Sequence, residues 1–105
     1  MRKIKINIGE KDYILYLTRK SVEWLENNGF DLKEIERKPV SSYSLMFRAG
    51  FAQEYPNVNS DALMAQYEEE GGDVAEVVTF LIEEYANFIK SLTDTSSKKK
   101  KMEIL

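Results

Sequence analysis

The segment Ile4-Lys5-Ile6-Asn7-Ile8-Gly9-Glu10-Lys11-Asp12-Tyr13-Ile14-Leu15-Tyr16-Leu17-Thr18 decides the fold. Ile4, Ile6 and Ile8 alternate with Lys3, Lys5 and Asn7, so β-branched apolar side chains share one face and polar ones the other. A period of two with this composition is the pattern of a half-buried strand. Gly9-Glu10-Lys11-Asp12 forms a short polar stretch in which Gly9 is free to take positive φ. Tyr13, Leu15 and Leu17 then alternate with Ile14 and Tyr16. Two such runs around so short a connection predict an antiparallel hairpin over about residues 3–17. An isolated hairpin is marginal in water, so its apolar face requires a cover.

The rest of the chain supplies helices for that purpose. Thr18 is placed to cap a helix over Arg19–Asn28, with Val22 and Leu25 inward and Gly29 at the left-handed position after its end. Asp31 opens a short helix to about Arg37, with Leu32 and Ile35 inward and Pro39 preventing continuation. Ser41 or Ser42 starts a third helix to about Tyr55, stopped by Pro56. In it Tyr43, Phe47, Phe51 and Tyr55 recur every four residues, Leu45, Ala49 and Ala52 line another side, and Ser44 and Arg48 form the polar edge. A helix so apolar is central to the core or partly an interface, and this aromatic series reads as core. Asn59 or Ser60 caps a fourth helix carrying Leu63, Met64 and Tyr67, ended by Gly71-Gly72. Asp73-Val74-Ala75-Glu76 has capping-box spacing ahead of the longest helix, about 74–92. Its stripe is Val74, Val78, Leu81, Ile82, Tyr85, Ile89 and Leu92, with Glu83, Asn87 and Lys90 opposite. The expected architecture is α+β and mainly helical: an N-terminal hairpin on four to five helices in one domain, 1–92. Residues 93–105 read as a flexible, lysine-rich tail.

Composition narrows the function. The 105 residues contain no Cys and no His, which removes disulfides, the usual zinc and copper ligands and the commonest general base. No phosphate loop, nucleophile elbow or dinucleotide fingerprint occurs. No catalytic, cofactor-binding or metal-ligating residue is therefore assigned, and the chain reads as a non-enzyme. Its apolar runs are too short to span a bilayer, which needs about 20 residues, and Lys5, Asn7 and Glu10 interrupt any signal-peptide core. An intracellular chain without a membrane partner is expected. The net charge is −3; because Lys98–Lys101 contribute +4, the remainder carries −7. An acidic body repels phosphate backbones, so nucleic acid is not an expected partner, and the lysine run reads as a solvated tail.

The acidic groups Glu68–Glu70 and Glu83-Glu84 lack calcium-loop spacing and a facing carboxylate, and both read as solvated helix surface. Phe80, Val77 and Phe88 fall off the main stripe of the last helix. A second apolar edge needs either another helix of this chain or another protein. Trp24 points away from Val22 and reads either as an interface anchor or as a partly covered core residue. Val77, Phe80, Phe88 and Trp24 are the candidate partner-binding residues.

The opening Ile-Lys-Ile-Asn-Ile-Gly-Glu-Lys-Asp-Tyr-Ile-Leu-Tyr-Leu-Thr-Arg-Lys-Ser-Val-Glu-Trp-Leu-Glu resembles the start of the tail assembly chaperones of long-tailed phages and prophages of Gram-positive bacteria. Ile4, Ile6, Gly9, Tyr13 and Leu15 match their I-x-I-x-G-x-x-Y-x-L hairpin, with one residue shifted at the turn. The likeness covers about residues 3–30; beyond it, size and helix content alone agree. It implies a non-enzymatic chaperone in the bacterial host cytoplasm that coats the tape-measure protein during tail morphogenesis. The tail-tube protein and self-association are further partners it leaves open. Many such chaperones are also made in a longer, frameshifted version, and the position and composition of Lys98–Lys101 suggest the hypothesis of an A-rich slippery stretch in their codons. A head–tail connector or other tail component, and a small host regulatory binding module, are the alternatives.

Overall fold

The computed structural model describes residues 1–94 and 101–105. Among the described residues, strands β1 (Ile4–Ile8) and β2 (Lys11–Leu15) are followed by helices α1 (Arg19–Asn27), α2 (Pro39–Phe51), α3 (Ser60–Glu69) and α4 (Val74–Thr93). The strands pair antiparallel with Ile4 opposite Leu15, Ile6 opposite Tyr13 and Ile8 opposite Lys11. Only Gly9 and Glu10 lie between them, with φ of 59° and 68°. That is the left-handed pair a two-residue hairpin turn needs to match strand twist, and it is tighter than the four-residue polar stretch suggests.

The expected hairpin on helices is what the chain forms. Ile6, Ile8, Tyr13, Leu15 and Leu17 join Val22, Leu25, Phe30, Met46, Phe47, Phe51, Val78 and Leu81 in one core. Helix α2 is its axis. Phe47 and Phe51 are buried, and Tyr13 meets Phe51 and Tyr55 edge-on, with centroids 5.4 and 5.0 Å apart. At Gly50 an added Cβ would stand 3.0 Å from Leu81 Cδ1 and 3.4 Å from Leu15 Cδ2. Strand, central helix and last helix thus converge on a position that holds no side chain.

Helix starts largely follow their capping residues. Thr18 and Ser21 form a reciprocal capping box at α1, Asn59 caps α3 by accepting from Ala62 N–H, and Asp73 caps α4 by accepting from Glu76 N–H. The region between α1 and α2 differs from the expectation. After Asp31 a single 3-10 turn, Leu32–Glu34, replaces the short helix, and Leu32 is exposed while Ile35 is half-buried. Pro39 begins α2 instead of only ending what precedes it, because the first helical position needs no N–H donor. The same helix stops at Phe51, and Tyr55, disfavoured from helical backbone by Pro56, ends a following turn. Helix α4 runs one residue further than expected, to Thr93, and Leu92 is exposed.

One acidic group corrects a further reading, while Glu68–Glu70 are exposed as expected. Glu84 is buried at 4 % exposure, not on the open face with Glu83. The chain ahead of β1 crosses it, and Glu84 Oε1 accepts from Arg2 N–H at 2.9 Å and Arg2 Nε–H at 2.8 Å. Glu70, at the end of the acidic run, accepts from Gly9 N–H at 2.8 Å and so pins the hairpin turn to α3. Lys98–Lys100 lie outside the described residues, while Lys101 and Met102–Leu105 are exposed.

Candidate functional site

Two surface grooves contain three of the four partner-binding candidates. The first, about 280 Å³, lies between α1 and the C-terminal part of α2 and is lined by Lys20, Ser21, Trp24, Arg48, Ala49, Ala52, Gln53 and Pro56. Small residues at 49 and 52 let the groove sink beside the Trp24 indole, which is half-buried against the core. The Arg48 guanidinium stands over that ring, 5.4 Å from its centroid, which fixes both side chains at the rim.

Gln53 holds the walls together. Its amide nitrogen donates to the carbonyls of Tyr16 and Ala49, and its oxygen accepts from Ser21 Oγ at 2.7 Å. One side chain thereby ties the end of β2, the capping box of α1 and the last turn of α2. No sequence pattern singled out Gln53, because its three partners are brought together only by the tertiary fold. Lys20 and Arg48 line this groove with no carboxylate among its lining residues, which sets it apart from the acidic body.

The second groove, about 250 Å³, runs beside β1 and is lined by Ile4, Lys5, Ile6, Tyr67, Glu76, Val77 and Phe80. Val77 and Phe80 therefore do share an edge, as their spacing predicts. That edge faces β1 and α3 of the same chain. Val77 is buried at 4 % exposure and forms groove floor, not a free contact residue. Phe80 is half-buried, and the Arg2 guanidinium lies over its ring at 4.9 Å. Phe88, two turns along α4, is half-buried against the core and lines neither groove.

Three titratable groups among the described residues are shifted by their surroundings. The Gly9 N–H bond, followed by the Gln66 side chain, holds the Glu70 carboxyl below its ordinary range, with slight burial acting the other way. Burial, then the charges of Glu26 and Asp31, pushes the Tyr85 phenol upward. A hydrogen bond to Glu54 does the same for Tyr16. None of these three lines either groove. Among the described residues no three His, Cys, Asp or Glu side chains are grouped to hold a metal ion, and no helix is long and apolar enough to cross a membrane.

A family model described as a domain of unknown function, DUF5055, matches residues 1–105. The chain belongs to the DUF5055 family. No curated protein and no solved structure matches this DUF5055 chain. The first groove sets the Trp24 indole and small apolar side chains beside Lys20 and Arg48, and the second sets Val77, Phe80 and Tyr67 beside both Lys5 and Glu76.

Proposed function

We propose that this DUF5055 protein is a non-enzymatic assembly chaperone that holds an apolar-faced helix of a client, the tape-measure protein of a phage tail, in the Trp24 groove. The observation that carries the reading is the Trp24–Arg48 pair. A half-buried indole under a guanidinium, beside Ala49, Ala52 and Pro56, makes a rigid aromatic anchor next to an apolar trough. Such anchors dominate binding energy at protein interfaces. Lys20 and Arg48 give the rim a positive charge that complements a client helix bearing carboxylates beside its apolar stripe. The absence of His and Cys from the sequence leaves no ordinary nucleophile–base pair, in keeping with a binding role. The hairpin running straight into a capped helix supports the likeness to tail assembly chaperones on which the client's identity rests.

Co-expression with the tape-measure protein encoded nearby, followed by affinity capture, tests the reading. The wild type should keep that client soluble and co-purify with it, and Arg48→Glu should lose it. Failure of the wild type to bind would overturn the proposal. Finding the protein at stoichiometric levels in finished particles would replace it with a structural tail component.

A further inference from the structure

The two edges of the hairpin are unequally satisfied. In a hairpin closed by a two-residue turn, the flanking pair Ile8–Lys11 exchanges backbone hydrogen bonds and the pattern then alternates. Ile6–Tyr13 and Ile4–Leu15 therefore bond across the ladder, while Lys5 and Asn7 on β1, and Asp12 and Ile14 on β2, direct their backbone groups outward. On the β2 side the Ile14 N–H and both groups of Tyr16 are taken, while Asp12, beside the turn, is left open. Ile14 N–H donates to Tyr55 Oη at 3.0 Å, Tyr16 N–H donates to the Gly50 carbonyl at 3.3 Å, and the Tyr16 carbonyl accepts from Gln53. At the turn, Gly9 N–H is held by Glu70. Lys5 and Asn7 are exposed, and their N–H and C=O groups have no partner among the described residues.

The groove floored by Tyr67, Val77 and Phe80 lies alongside this open edge. We propose that β1 accepts a third strand, an extended partner segment with apolar residues at alternate positions and carboxylates between them. Main-chain bonds to Lys5 and Asn7 would fix its register. Alternate side chains would enter the groove beside Ile4 and Ile6. The intervening ones would stand next to Lys3 and Lys5 on the outer face, where opposite charge across a strand pair is favourable. The same lysines select against a second copy of β1, whose own lysines would face them. This surface is separate from the Trp24 groove and does not depend on what that groove binds.

The test uses the full chain and a capped heptapeptide of alternating glutamate and valine, with its lysine–valine counterpart as control. Hydrogen exchange followed by NMR should slow at least tenfold at the Lys5 and Asn7 amides with the glutamate peptide. It should be unchanged at Ile14 and Tyr16, and the lysine peptide should have no effect. No slowing at millimolar peptide, an equal response to both peptides, or shifts confined to the residues around Trp24 would overturn the proposal. Asn7→Pro removes one outward donor at a place where an edge strand tolerates proline, and should abolish the protection at Lys5. Lys5→Glu leaves the backbone intact and should reverse the preference to the lysine peptide. An unchanged preference in that variant would also overturn the proposal, whether or not Asn7→Pro folds.

Discussion

The backbone N–H of Gly9 donates to Glu70 Oε1 at 2.8 Å, joining the tip of the hairpin to the residue that caps the end of α3, across 61 positions of sequence. Glu70 is thereby held below its ordinary value of 4.5, first by this bond and then by Gln66. A carboxyl depressed in the folded state stabilises the fold above its unfolded pKa, and the contribution is lost as pH falls through the lower, folded value. Glu70→Gln should therefore be less stable than wild type near neutrality, and the difference should shrink from about pH 5 to about pH 3. Urea midpoints across that range check it; a constant difference would contradict it.

The turn itself gives a pair of opposite effects. Gly9→Ala meets a backbone at φ 59° and a Cβ position 2.7 Å from Gln66 Nε2, and should destabilise by about 1–2 kcal/mol. Glu10→Gly relieves a non-glycine residue at φ 68° and should stabilise by up to about 1 kcal/mol. Chemical denaturation of both variants measures the signs directly.

At Gly50, helix propensity and packing point in opposite directions. Alanine would gain about 1 kcal/mol as a helix former. Its methyl group would enter the junction of Leu81 and Leu15, where overpacking costs about 1–3 kcal/mol. Leu81 and Leu15 are both fully buried, so neither can yield by moving into solvent. Gly50→Ala should be net destabilising, seen as a lowered thermal midpoint, while the double variant Gly50→Ala with Leu81→Val should recover part of the loss.

Trp24 is the protein's one tryptophan, so its emission reports on its groove alone. Arg48→Glu replaces an exposed cation and should change stability by less than about 1 kcal/mol. Client binding should shift the emission to the blue in wild type and leave it unmoved in Arg48→Glu, as a fluorescence titration would show.

The hairpin, the capping residues and the main helices were legible because each rests on short-range chemistry: alternation from Ile4 to Leu17, the hydroxyl of Thr18, the carboxylate of Asp73. What escaped was set by distant partners. Glu84 looked solvated because nothing local marks it, and Arg2 reaches it only once the hairpin is folded onto α4. Val77 and Phe80 were correctly grouped as a second apolar edge, but spacing cannot tell whether a strand of the same chain will lie beside it. Trp24 lines a groove because Ala49, Ala52 and Pro56 leave room there, a relation between two helices. Pro39 looks in sequence like an end and serves as a beginning, since the same missing N–H suits both.

The clasp between Arg2 and Glu84 has a consequence for the order of assembly. These residues lie 82 positions apart, so the segment ahead of β1 is secured only by α4. During synthesis from the N-terminus, Ile6, Leu15 and Leu17 have no complete shelter until Leu81 and Glu84 have emerged, and such non-local closure is slow compared with helix formation. The groove beside β1 does not exist before then, because α4 supplies its floor. A chain interrupted before α4 should be protease-sensitive along its hairpin, and Arg2→Ala should slow the final folding phase more than it affects the formation of α1. Emergence of α4 thus acts as a timer: the open edge becomes a defined surface only after Val77 and Phe80 are in place.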